Sequence, residues 1–172
     1  MFGSDRYTFW KYGSYALLML GLFVLQSARG TAVFLAGESV NVLPFFVAAV
    51  ALLEGPYAGG GFGFAGGVLL SLNSSGVEGF ASLWLTLFGV LFGLFGAHYL
   101  RRVTLSALAG GLICLLTEAF FRYVFRELPF YGMSLGDTLL RLGASLLLSL
   151  PAGALTWLAL RQICRRFTED RL

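Results

Sequence analysis

Apolar residues come in six long runs separated by short polar breaks, at about residues 12–28, 40–53, 57–72, 80–99, 103–124 and 139–160. Runs of this kind, with few charges inside, predict helices that cross a membrane. The first run follows an aromatic and polar start, Met1 to Lys11, with Tyr7, Phe9 and Trp10. No small-residue cleavage site of the A-x-A kind follows, so this start reads as an interfacial anchor leading into a retained span. The second run lies between Glu38 and Glu54, with Pro44 suited to a first helical turn. At about 1.5 Å per residue it is short for a hydrocarbon core of roughly 30 Å. The apolar stretch Thr31 to Gly37 before it is able to dip into the interface or extend the helix. Asn73-Ser74-Ser75-Gly76 has turn chemistry, Arg101 and Arg102 end the fourth run, and a loop with Pro129, Gly132 and Gly136 precedes the sixth.

Composition agrees with the pattern. Of 172 residues, 58% are hydrophobic and 12% charged, against roughly 25% charged in an ordinary soluble domain. A soluble domain this small needs more polar residues to cover its surface. The expected fold is an all-α integral membrane protein, one domain with six transmembrane helices in a compact bundle. Six spans place both termini on one side. That side carries Arg6, Lys11, Arg101, Arg102, Arg161, Arg165, Arg166 and Arg171, eight basic residues, and the other carries four, Arg29, Arg122, Arg126 and Arg141. The bias orients both termini to the cytoplasm. The net charge of +3 comes with no basic run interleaved with aromatics, so nucleic acid is not an expected partner. Cys114 lies inside a span and Cys164 in a basic tail, at different depths, so no disulfide is expected.

Glycines supply the most regular local pattern. Gly59, Gly63 and Gly67 recur every four residues in the third span, and Gly89, Gly93 and Ala97 repeat the device in the fourth. Four residues make about one turn, so each series leaves a groove free of side chains where another helix can approach closely. Packing within the chain's own bundle is preferred to an interface between molecules, although a homodimer stays open.

Glu118 and Arg122 are four residues apart near the outer end of the fifth span, and Arg126 continues their face. An acid and a base at that spacing can pair and reduce the cost of charge near lipid. Arg122 and Arg126 can also snorkel to the interface. Asp137 and Arg141 form a second such pair, in which a helix cap is the preferred role for Asp137. These five residues are the candidates for contact with an outer partner. Arg101, Arg102, Arg165 and Arg166 are placed against anionic headgroups at the cytoplasmic surface.

Signs of catalysis are weak. His98 stands alone, without the three or four ligands a zinc centre needs. A serine dyad of Ser74 or Ser75 with His98 is disfavoured, because the serines lie in a loop without the G-x-S-G arrangement of rhomboid proteases. His98 is also expected about a membrane thickness away. Neither a phosphate loop nor a dinucleotide fingerprint occurs. No catalytic residue, cofactor or metal is assigned.

From Val42 to Leu83 the pattern is more particular. Pro44 opens a short span, Glu54-Gly55-Pro56-Tyr57-Ala58-Gly59 makes a tight turn, and Gly63-Phe64-Ala65-Gly66-Gly67 leads through Leu70-Ser71-Leu72 to a polar turn and Gly79. This segment resembles the rod-shape-determining protein MreD family, which is similar in length and span layout. The resemblance implies a non-catalytic protein of the bacterial inner membrane, multi-pass, that binds MreC. Through it the protein would work with the MreB filament and the penicillin-binding protein and polymerase complex of cell wall elongation. One departure stands out: many members carry an aspartate four residues after the last glycine of that run, where this chain has Ser71. A partner contact made by that acid in the family is in doubt here.

The alternative is a substrate-binding S-component of an energy-coupling-factor vitamin transporter, a fold to which the MreD family is similar. Such a protein needs a small-residue docking face and an outer ligand pocket. The first span is bulky, with Leu17, Leu18, Met19, Leu20, Leu22 and Phe23, which disfavours the docking face. Outer Glu38, Asn41, Glu78, Arg126, Glu127 and Asp137 show no converging pattern.

Overall fold

The computed structural model describes residues 3–27, 41–73, 79–98, 104–123 and 135–169. Six helices make up the fold: α1 (Gly3–Ser27), α2 (Leu43–Glu54), α3 (Pro56–Asn73), α4 (Phe80–His98), α5 (Thr104–Arg122) and α6 (Leu135–Glu169). The described residues contain no strand.

Two boundaries differ markedly from the sequence reading. α1 begins at Gly3, because no proline or turn interrupts the chain between the aromatic start and Ser27. α6 runs for 35 residues, about 52 Å at 1.5 Å per residue, and carries Arg161, Arg165 and Arg166 on its last turns rather than in a tail. Pro151 lies inside it, so the Leu147 carbonyl has no N–H four residues on. One stretch among the described residues, Ser145–Arg166, is long and apolar enough to cross a membrane by itself, while Leu43–Glu54, Phe80–Gly96 and Leu105–Phe121 are apolar but shorter.

α2 is the axis of the bundle. Every residue from Leu43 to Leu53 is 7% exposed or less, and the helix packs against α3, α4, α5 and α6, and lightly against α1. A helix with no polar face has to be covered on every side, and here protein does the covering. Phe45 of α2 seats its ring against Gly111 of α5 and Gly153 of α6; a Cβ at Gly153 would lie 2.6 Å from Phe45 Cδ1. Gly110 receives the ring of Phe92 from α4 in the same way. The glycines thus form sockets for aromatic rings, in keeping with close packing of the interior.

Two glycines are required by backbone conformation. Gly55, at φ +95°, turns the chain from α2 directly into α3, and its N–H still donates to the Ala51 carbonyl (3.0 Å). Pro56 then starts α3, where a missing N–H costs nothing. Gly79, at φ +85°, precedes α4 and accepts a hydrogen bond from the Leu83 N–H (3.1 Å).

Candidate functional site

The α3–α4 hairpin brings the two glycine series face to face. A Cβ at Gly59 would lie 2.6 Å from Ala51 Cβ and 2.7 Å from the Gly89 carbonyl oxygen. Further along, a Cβ at Gly63 would strike the Leu85 carbonyl, one at Gly67 the Ser82 backbone, and one at Gly93 would come 2.6 Å from Pro56 Cα. Backbone meets backbone along the whole seam, at a separation that only glycine permits.

A second convergence lies at the end of α2, on Glu54. Its Oε1 accepts from Lys11 Nζ (2.6 Å), from the Tyr15 hydroxyl (2.9 Å) and, more weakly, from the Cys164 thiol (3.8 Å). Lys11 and Tyr15 are one turn apart on α1, and Cys164 is on α6, so one carboxylate oxygen joins three helices. The pair is largely enclosed, with side-chain exposures of 21% for Lys11 and 11% for Glu54. Glu54 is also the last residue of α2, where the helix dipole is negative and an acid is disfavoured; the lysine offsets both effects. Around this node Tyr15 and Phe46 present ring edges to Phe62 of α3 at centroid distances of 6.1 and 5.9 Å. In the sequence Glu54 stands as a span boundary and the start of a tight turn, with no partner assigned. Its one available signal was an acid at the wrong end of a helix.

The opposite end of α2 is tied by neutral groups. Gln26 of α1 donates through Nε2 to Asn41 Oδ1 and accepts the Val42 N–H at Oε1, both at 3.3 Å. The Asn41 N–H donates to Ser149 Oγ of α6 (3.1 Å), and Ser149 is fully buried. These bonds satisfy backbone donors just ahead of α2 that no helix turn can reach.

Two apolar grooves open on the outside of the bundle. One, about 640 Å³, runs along the α3–α4 seam past Tyr57, Gly61, Phe64 and Val90. The other, about 430 Å³, lies between α4 and α5 and is lined by Trp84, Phe88, Phe95, Ile113 and Thr117. The Thr117 hydroxyl is spent on its own helix, donating to the Ile113 carbonyl (2.7 Å). The buried indole Nε1 of Trp157 has no acceptor among the described residues.

Glu118 is half-buried on α5 with its Oε2 shielded from solvent, one turn beyond the buried Cys114. Arg122 ends α5, and Asp137 and Arg141 lie in the first turns of α6. Arg165 and Arg166 are exposed. Arg101, Arg102 and Arg126 lie outside the described residues, as do Thr31 to Gly37 and Ser74 to Gly76. Ser71 turns its hydroxyl back onto the Val68 carbonyl (2.7 Å). Among the described residues no three His, Cys, Asp or Glu side chains come together to hold a metal. Comparison of the chain with protein-family models, with curated proteins and with solved structures finds no match in any of the three.

Proposed function

We propose that the chain is a helical membrane scaffold that acts by binding alone and, within that class, an MreD-like protein of the bacterial inner membrane. In this reading it joins MreC, and through it the MreB filament and the penicillin-binding protein and polymerase complex, in wall elongation. Both termini face the cytoplasm.

The membrane part of the reading is supported by the outer surface. Large apolar side chains point outward on helix after helix: Leu17 and Leu20 on α1, Phe64 and Leu72 on α3, Leu83 and Phe95 on α4, Phe120 on α5 and Leu155 on α6. Contiguous apolar surface on this scale calls for lipid or protein cover. The observation that carries the family part is where the resembling residues fall. Pro44 begins the fully buried axis, Gly55 and Pro56 make its tight turn, Gly63 and Gly67 close the α3–α4 seam, and Gly79 opens α4. Among the positions that suggest the family, Gly55, Gly63, Gly67 and Gly79 are ones the fold leaves little freedom to change.

Glu118, Arg122, Arg126, Asp137 and Arg141 remain the proposed polar contacts for an outer partner, and Arg101, Arg102, Arg165 and Arg166 the contacts to anionic headgroups. The Ser71 hydroxyl, occupied by its own helix, does not replace an aspartate as a partner contact.

The test is purification through a tag after Leu172 from native-host membranes in mild detergent, with the co-purifying proteins identified by mass spectrometry. Recovery of MreC with a penicillin-binding protein is the expected result. Recovery of paired ATPases with a coupling membrane subunit would replace this reading with the S-component one.

A further inference from the structure

We propose that α1 is a detachable helix and that the Lys11–Glu54 pair is its latch. The inference rests on the membrane reading above. Leu17, Leu20, Val24 and Leu25 of α1 are exposed, and among its described side chains Tyr15 and Met19 are the buried ones. Its packing on α2, α3 and α6 is sparse. In a bilayer, apolar residues gain little by facing protein instead of lipid, so sparse apolar packing does not fix a helix in place. What lipid cannot supply is a partner for Glu54. Lys11 and Tyr15 meet it from the central turns of α1, and Gln26, fifteen residues or about 22 Å beyond Lys11, makes its two bonds at the C-terminal end. The docked position is therefore specified by the seating of Tyr15 and Met19 together with polar ties at two levels of α1, of which only the Glu54 level is charged. Gly13 and Gly21 have no atom of the bundle within 4 Å of a built Cβ, so the interlock of α1 comes from Tyr15 and Met19, with Leu18, Leu22 and Phe23 packed beside them, and not from its glycines.

Cys164 reports the state of the latch. It lies partly buried beside Glu54, at the level of the same α1 turns. The experiment places the full chain in lipid vesicles, adds a membrane-permeant maleimide and follows Cys164 and Cys114 separately by peptide mass spectrometry. Lys11→Met is the decisive variant. With α1 still docked, the uncompensated Glu54 carboxylate would repel the reactive thiolate and slow labelling of Cys164. With α1 released, labelling accelerates. We expect an increase of about tenfold, in line with the loss of a partly buried ion-pair partner, while the fully buried Cys114 stays slow. The exchanged pair, Lys11→Glu with Glu54→Lys, is expected to bring Cys164 back towards the wild-type rate. A Cys164 rate that is unchanged or lower in Lys11→Met overturns the latch, and so does a parallel rise at Cys114, which would mean that the pair holds the whole bundle. Alkaline carbonate extraction of the wild type separates the two readings: release from membranes ends the membrane reading, whereas retention with unaltered Cys164 kinetics ends the latch alone.

Discussion

The α3–α4 hairpin and α1 both carry glycines at helical spacing, yet they are held by opposite means. On α3, Gly59, Gly63 and Gly67 lie against the backbone of α2 or α4, and any Cβ there collides. On α1, Gly13 and Gly21 look into open space, and the helix is joined to the bundle by Lys11, Tyr15 and Gln26. The difference teaches that a small-residue pattern is only a licence for close approach. Whether it is used depends on a neighbouring backbone that comes close at the same height, as Gly89, Leu85 and Ser82 of α4 do to Gly59, Gly63 and Gly67 of α3 and none does to Gly13 or Gly21 of α1. Close backbone contact then holds the first region, whereas in the second the packing of Tyr15 and Met19 is joined by polar ties.

The sharpest way to break this contrast is Gly63→Leu. The side chain has to displace the Leu85 backbone, and a cost of about 3 kcal/mol or more is expected for overpacking of this kind. The yield of folded protein in detergent and its thermal midpoint would both fall, and an unaltered midpoint would mean that the seam is loose. Next in size is Glu54→Ala. It leaves Lys11 without its counter-charge, and about 2–4 kcal/mol is expected from the range for broken ion pairs, towards the lower end because Lys11 keeps some access to solvent. Chemical denaturation of the detergent-solubilised protein, compared with the charge-exchanged double variant, measures it; rescue by the exchange assigns the loss to the pair.

Ser149→Ala sharpens the neutral end of the same comparison. It removes the acceptor of the Asn41 N–H inside the bundle, at a cost of about 1–2 kcal/mol. A loss as large as that of Glu54→Ala would show that charge is not what distinguishes the two ends of α2. The smallest effect belongs to Gly21→Ala. With no neighbour within 4 Å, it is expected to be neutral or to stabilise by up to about 1 kcal/mol through helix propensity. A thermal midpoint lowered by Gly21→Ala would mean that α1 packs more closely than its open surface indicates.

Much of the architecture was readable because it is local. Long apolar runs, Gly55-Pro56 and Gly79 mark where helices stop and start, since proline lacks an N–H and a positive φ excludes most side chains. The ends of α1 and α6 were less readable: Phe9, Trp10, Gln162 and Arg165 suit an interface, a tail or a helix equally, and it is continuation without a breaker that keeps them helical. The Gly110–Gly111 pair went unread for a different reason. Its function is to receive Phe92 and Phe45, and nothing in spacing along α5 announces rings arriving from two other helices.

What the sequence determined by itself is therefore the number and order of helices, the two glycine-dependent turns and the four-residue glycine series, all of which follow from backbone sterics and periodicity within a single segment. Only the tertiary structure decided that α2 is the axis, that Glu54 faces Lys11 across 43 positions of chain, and that Ser149 completes the backbone ahead of α2. The physical reason is the same in each case. An all-apolar helix, a terminal acid and a lone hydroxyl each have several acceptable surroundings, lipid, water or protein, and the packing of the other helices selects among them.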